Sequence, residues 1–416
     1  MENYLLYFII GIIAAEFILE RSLSWLNTKH RKATLPNSLV GIYDEEKYAK
    51  SQQYGADQTR LSWISSTFNV IVMITFLIAG GFGGLDAWLA TFFETGLIKT
   101  LVFFGIIGLA SSIINLPFSI YATFVIEERY GFNKTTPKTF LLDLVKGMIV
   151  GAIIGGLLLG AFVWFHNNVE LWWLYAWALF FGFSLLITMF YTSVLVPIFN
   201  KLSPLEDGEL KEAILAYAKK VNFPLHNIMV IDGSKRSTKA NAYFSGLGSA
   251  KNIVLYDTLI EKQTKEELVA ILAHEVGHYK KKHVLQSIGI AAIQMFVMLF
   301  IMQWIVDNPA LSIALGGEQP ALHLGLIAFT VLYSPISTIT GLFMNVFSRK
   351  NEYEADAYAA KTYQATPLVT ALKKLSVDSL SNLTPHPAFV FFHYSHPTLL
   401  QRMAALEKVR EEVLLN

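Results

Sequence analysis

Seven apolar stretches dominate the chain, at residues 4–19, 66–82, 101–126, 140–165, 171–199, 284–306 and 322–347. A helix crosses the hydrocarbon core of a bilayer in about 20 residues, so these are candidate membrane spans. In lipid every backbone N–H and C=O must be satisfied within its segment, which makes helices the way to use them. Composition agrees: 53% of the 416 residues are hydrophobic and 16% are charged, where a soluble domain carries about 25% charged residues. Mean hydropathy is +0.44. The expected fold is an all-α polytopic membrane protein with seven transmembrane helices. A disordered or collagen-like chain is excluded.

The first stretch reads as a retained helix rather than a cleaved leader. No Lys or Arg precedes it, and no small-residue cleavage site comes before Glu16 and Glu20. Lys and Arg crowd the connections after the first, third, fifth and seventh stretches and are nearly absent from the others, with Lys99 the nearest exception. By the positive-inside rule the N-terminus then lies outside and the C-terminus in the cytoplasm. The expected organisation is transmembrane helices 1–5 in residues 1–199, a cytoplasmic part at 200–283, helices 6 and 7 at 284–347, and a second cytoplasmic part at 348–416. Within the first polar part, 227–232 and 252–256 read as strands, with 240–244 as the third member of a small sheet.

Lys+Arg 33 against Asp+Glu 32 leaves a net charge of +1, which gives nucleic acid no bulk electrostatic claim on the chain. The absence of cysteine excludes disulfides, thiolate metal sites and a cysteine nucleophile, so any metal must use His, Asp or Glu. One run offers such ligands. After Thr264, with Glu267 at capping-box spacing, residues 265–278 read as a helix ending in His274-Glu275-Val276-Gly277-His278. Residues four apart lie within about 40° of one helical face, so both imidazoles can reach a single ion while Glu275 sits beside them. This is the HExxH zinc motif. A catalytic zinc needs a third protein ligand and an open fourth position. Glu352 is the candidate, with Asp356 one turn further on to accept the second ring N–H of a ligand histidine, while Glu354 points to another face.

These residues belong to a larger pattern. HEVGH at 274–278, NVFSRKNEYEAD at 345–356 and SHPTLLQR at 395–402 resemble the motifs of the Ste24 group of integral-membrane zinc proteases. Residues 126–133, IEERYGFN, resemble the segment after that family's third span, and NAYFSG at 241–246 is similar to its substrate-binding strand. The resemblance implies a type I CAAX prenyl endopeptidase, cutting C-terminal peptides beside an isoprenylated cysteine, with seven helices around a water-filled chamber. It implies one zinc ion held by His274, His278 and Glu352, with Glu275 as base and Asp356 supporting a histidine. It further implies that Asn241 and Ala242 meet the substrate backbone, that Arg402 also binds substrate, and that His396, as oxyanion donor, completes the site with it. Partners are then a peptide or protein substrate and the lipid bilayer. The compact chain, ending without a double-lysine retrieval signal, favours a bacterial inner membrane over the endoplasmic reticulum.

Other residues carry weaker signals. His283, His386 and His393 read as packed or interfacial more readily than as extra ligands. Glu16, Asp143 and Lys146, in or near spans, face a polar interior or snorkel to the headgroups. Lys280, Lys281 and Lys282 read as a headgroup anchor for the sixth stretch. Two other functions compete: a quality-control protease of the HtpX kind, which shares HExxH and ExxAD but has fewer spans and lacks the 127–133 signature, and a channel or transporter with a structural zinc. The last leaves Glu275 without a task.

Overall fold

The computed structural model describes residues 2–32, 34–94, 96–245 and 251–415. The membrane part comprises α1 (Glu2–His30), α2 (Glu45–Ile78), α3 (Gly81–Ala90), α4 (Leu97–Tyr121), α5 (Pro137–Asn168), α6 (Trp172–Phe190) and α7 (Val196–Phe199). A mixed part follows with α8 (Glu209–Lys220), α9 (Asp257–Lys262) and α10 (Lys265–Lys280). The chain then re-enters the bundle through α11 (His283–Ile305), α12 (Pro309–Ala314) and α13 (Leu322–Thr362), and ends in α14 (Ala365–Asp378), α15 (Pro387–His393) and α16 (Leu399–Leu415).

Among the described residues, six helices are long and apolar enough to cross a membrane: α2, α4, α5, α6 running into α7, α11 and α13. The first expected span lies in α1, which carries Glu16, Glu20 and Arg21 and is not one of the six. Its Ile9 is nonetheless fully buried, in an apolar cluster with Leu77, Phe82, Leu311 and Leu324. In none of the six spans is more than 17% of the apolar window buried inside the protein, so the helices touch sparsely and keep most of their Leu, Ile and Phe for lipid. Pro117 interrupts the hydrogen-bond ladder of α4, which widens into a π-helical turn over Ala122–Glu127. The Lys99 exception has a structural reason. Its Nζ is buried 2.6 Å from Asp86 Oδ1, which also accepts from His323 Nε2 at 2.6 Å, so the charge is neutralised inside the protein.

The expected sheet is present with one strand more: β1 (Leu202–Pro204), β2 (Leu225–Ile231), β3 (Ala242–Ser245) and β4 (Lys251–Tyr256), in the order β1-β2-β4-β3. β1 pairs antiparallel with β2, β2 runs parallel to β4, and β3 pairs antiparallel with β4, Tyr243 facing Val254. At three residues β1 is too short to show an alternation in sequence. Ile253 and Leu255 of β4 pack on Leu268, Val269, Leu272 and Val276 of α10, which puts that helix at the centre of the soluble core. β3 is left at the edge.

The bundle grips the loop that leads into β3. Asn133 forms a β-bridge with Ser237, and Thr238 N donates to Phe132 O at 3.1 Å. Lys239 Nζ donates to Glu127 Oε2 at 2.8 Å, and Arg236 makes a two-pronged contact with Asp143 at 2.7 and 2.8 Å. Lys146 Nζ donates to Ile198 O at 2.7 Å. The 127–133 segment and Asp143 therefore position the strand beside the candidate site, while Lys146 ties α5 to α7.

Candidate active site

α10 begins as its sequence predicts. Glu267 N donates to Thr264 Oγ1 at 3.3 Å and Thr264 N to Glu267 Oε2 at 2.8 Å, closing the capping box. The helix lies tight against α13 because Gly277 has no side chain: a Cβ there would stand 2.9 Å from both Cα and O of Ala355. That approach brings His274 and His278 of α10 to Glu352 of α13.

The Nε2 atoms of His274 and His278 face each other at 3.2 Å. His274 Nε2 is 3.4 Å from Glu352 Oε2 and His278 Nε2 is 3.3 Å from Glu352 Oε1. One ligand atom from each of the three residues lies within 4.8 Å of the others. Glu352 Oε2 is buried without a hydrogen-bond partner. A buried acceptor left over beside two converging imidazole nitrogens is the arrangement a tetrahedral divalent cation satisfies, so the residues fit a metal.

The electrostatics point the same way. Burial opposes a charge on His274, but hydrogen bonds to Asp356 and Glu352 outweigh it and raise the imidazole to about 9. Burial likewise pushes Glu352 up, yet the two histidines hold its carboxyl well below the usual range. The cage is built for a positive charge, which a metal supplies in place of protons.

Each ligand histidine has a support behind it. His274 Nδ1 donates to Asp356 Oδ1 at 2.8 Å, and Asp356 accepts two bonds from Arg402, from Nε at 2.8 Å and Nη2 at 2.6 Å. Burial would raise the Asp356 carboxyl, but His274 and Arg402 hold it low. On the other side His278 Nδ1 lies 3.0 Å from His283 Nδ1, and His283 Nε2 lies 3.3 Å from Glu354 Oε2. With His283 donating to Glu354, its Nδ1 is free to accept from His278, which leaves the His278 Nε2 lone pair for a metal. Glu354 does leave the ligand face as expected, but it stands behind this second histidine. Sequence reasoning missed the pair because His283 follows Lys282, whose left-handed φ of 61° restarts the helix and folds His283 back. A non-glycine residue gives no signal of that turn.

A cleft of about 170 Å³ opens onto the cluster, lined by Asn241, Ala242, Glu275, His396 and Arg402 together with His274 and Glu352. His396, more than a hundred residues from HExxH in sequence, places Nε2 3.3 Å from Glu352 Oε1 with a side chain 62% exposed. Arg402, by contrast, is buried. Asn241 immediately precedes β3, and Gly246 of the expected strand motif lies outside the described residues. His386 caps α15, accepting from Ala388 N, and His393 sits 3.5 Å from Glu20; neither joins the cluster.

A bundle of membrane helices joined to a buried His-His-Glu cluster, with a glutamate next to the first histidine, defines a membrane-embedded metallopeptidase. Two family models match the chain, one described as CAAX prenyl protease N-terminal, five membrane helices, over residues 25–201, the other as peptidase family M48, over residues 204–410. A CAAX prenyl protease 1 homolog of Arabidopsis thaliana is 34% identical over 409 residues, 96% of each chain. CAAX prenyl protease 1 of Saccharomyces cerevisiae is 32% identical, covering 97% of this chain and 95% of its own. The crystal structure of S. mikatae Ste24p superposes with a TM-score of 0.92 at 32% identity, over 97% of this chain and 99% of that one. The chain belongs to peptidase family M48, in its Ste24 branch, and is a membrane zinc metalloprotease.

Proposed function

We propose that the protein cuts peptide bonds near the C-terminus of isoprenylated substrates, using one zinc ion held by His274, His278 and Glu352. The observation that carries this reading is the meeting, in one cleft that opens onto the three-ligand cluster through His274 and Glu352, of Glu275 and the start of the edge strand β3. A zinc ion held by these residues would supply a Lewis acid for the scissile carbonyl and a bound water with its pKa lowered to about 7. Glu275 takes the proton of the attacking water and passes it to the leaving amine, with no covalent intermediate. His396 donates a hydrogen bond to the developing oxyanion. Among the described residues β3 has a strand partner on one side only, so an extended peptide can add to its other edge, with Asn241 and Ala242 meeting its main chain. Asp356 orients His274. Arg402, expected to bind substrate, spends two N–H groups on Asp356 and holds Nη1 3.6 Å from Glu352 Oε2, so it supports the ligand cluster.

The names of the relatives support the isoprenylated substrate, and the distribution of Lys and Arg supports a site on the cytoplasmic side. The bilayer is a bacterial inner membrane on the sequence argument and the endoplasmic reticulum if the source is eukaryotic. The relatives named above are eukaryotic, and the 96% mutual coverage with the Arabidopsis protein removes compactness as an argument between the two. A match to both family models over nearly the whole chain supports this reading over the quality-control protease.

The deciding experiment offers purified protein a farnesylated CAAX peptide and its unmodified twin, with and without chelator. Chelator-sensitive cleavage of the farnesylated peptide, faster than that of its twin, is expected. Equal rates would remove the isoprenoid from the reading, and no chelator-sensitive cleavage would remove the mechanism.

A further inference from the structure

We propose that a second cavity, beside the catalytic cleft and centred on Arg31, binds the free C-terminal carboxylate of the peptide substrate. The proposal rests on the peptidase reading and adds to it a place where the chain end is read.

The cavity measures about 720 Å³ and is walled by the end of α1, the first half of α2, the turn after α14 and the segment between α15 and α16. That volume falls within the range of about 300–1,000 Å³ typical of small-ligand sites and suits a few residues of peptide. His396 lines both this cavity and the cleft that holds Glu275 and the metal cluster. A peptide that passes His396 therefore enters it.

The lining has one sign of charge. Among the described residues no Asp or Glu contributes to it, and its permanent charges are those of Lys239 and Arg31. Lys239 is neutralised by Glu127 at 2.8 Å. Among the described residues Arg31 has no ion pair: Nη2 donates to Thr59 Oγ1 at 3.0 Å, and Nη1 is buried with no hydrogen-bond partner. Nδ2 of Asn382, another lining residue, is also a buried donor without a partner. The guanidinium lies on the bare face of Gly55, where a Cβ would come within 3.0 Å of Nη2. A half-buried guanidinium without a counter-charge favours an anion, and its planar fork matches the two oxygens of a carboxylate. A chain terminus is the anion that every C-terminal peptide brings.

The test measures binding and hydrolysis separately, on farnesylated peptides that differ only in a free C-terminal carboxylate or a carboxamide. Binding is read by fluorescence anisotropy on zinc-loaded Glu275→Gln protein, which turns over little. The acid should bind about 10-fold or more tighter than the amide, the scale of a charged hydrogen bond. Adding Arg31→Gln should erase that preference while leaving amide affinity and zinc content unchanged, and Arg31→Lys should restore part of it. Asn382→Ala provides a milder variant should Arg31→Gln fail to fold, with a smaller loss confined to the acid. Equal binding of acid and amide overturns the proposal, as does a loss shared by both peptides at normal zinc content. Acid-selective binding without hydrolysis by the unsubstituted enzyme would sustain the cavity and sink the peptidase reading; hydrolysis without acid selectivity would do the reverse.

Discussion

Gly277→Ala is the smallest change that tests how the metal cluster is assembled. The added methyl would stand 2.9 Å from Cα and O of Ala355 and 3.1 Å from Cβ of Tyr358. Two of these neighbours are backbone atoms, so no side chain can swing aside. Comfortable carbon contacts lie at about 3.5–4.0 Å, so α10 and α13 must separate by roughly 0.6–1.1 Å. Metal–ligand distances tolerate about 0.2 Å, and two of the three ligands sit on one of these helices with the third on the other. Overpacking costs about 1–3 kcal/mol, and the better helix propensity of alanine returns up to about 1 kcal/mol. The variant should thus remain folded in the membrane but bind zinc about 10- to 100-fold more weakly, the loss seen when ligand orientation is disturbed. Chelator competition measures the affinity directly. Gly289→Ala on α11, with nothing within 4 Å of the new methyl, serves as the control. Unchanged zinc affinity in Gly277→Ala would refute the claim that the close approach of these helices sets the geometry of the site.

Three further outcomes are expected. Glu275→Gln should keep zinc near one per chain while hydrolysis falls about 10²-fold or more, as read by metal analysis and peptide cleavage; undiminished turnover would remove Glu275 from the mechanism. Glu352→Ala should lose zinc altogether, whereas Glu354→Ala, which strips the support from His283, should retain it with affinity lowered by about 10-fold; the reverse order would misplace the third ligand. His396→Phe should leave zinc and peptide binding intact and slow cleavage by about 10² to 10³, with His393→Phe nearly silent; loss of zinc in the first would make His396 a ligand or its support.

What could be read from sequence was what depends on local spacing. HExxH, the capping box at Thr264 and the one-turn offset from Glu352 to Asp356 each follow from helical periodicity, and the apolar stretches fall in helices where expected. Contacts between distant segments were less legible. Arg31, 365 residues before His396 in the chain, carried no motif, and its role depends on the absence of a carboxylate in its surroundings. Lys99 looked like a breach of the charge pattern because its partners, Asp86 and His323, come from different helices. His283 was weighed as a lone histidine because the turn that folds it back rests on a lysine in a conformation lysine rarely adopts.

The ligands on α10 and α13 are separated by a complete membrane hairpin, formed by α11 and the first half of α13. A metal bound to both sides is therefore a cross-link that closes a loop of roughly 74 residues, and in chain-entropy terms such a closure is worth up to about 4 kcal/mol. The bilayer already restrains the two spans, which makes that figure an upper limit here. Chelation then does more than remove a Lewis acid. It unclasps the hairpin at the end that carries the cleft, so a stripped molecule should expose the Lys280–His283 turn and the distal part of α13 to protease while its membrane helices stay protected.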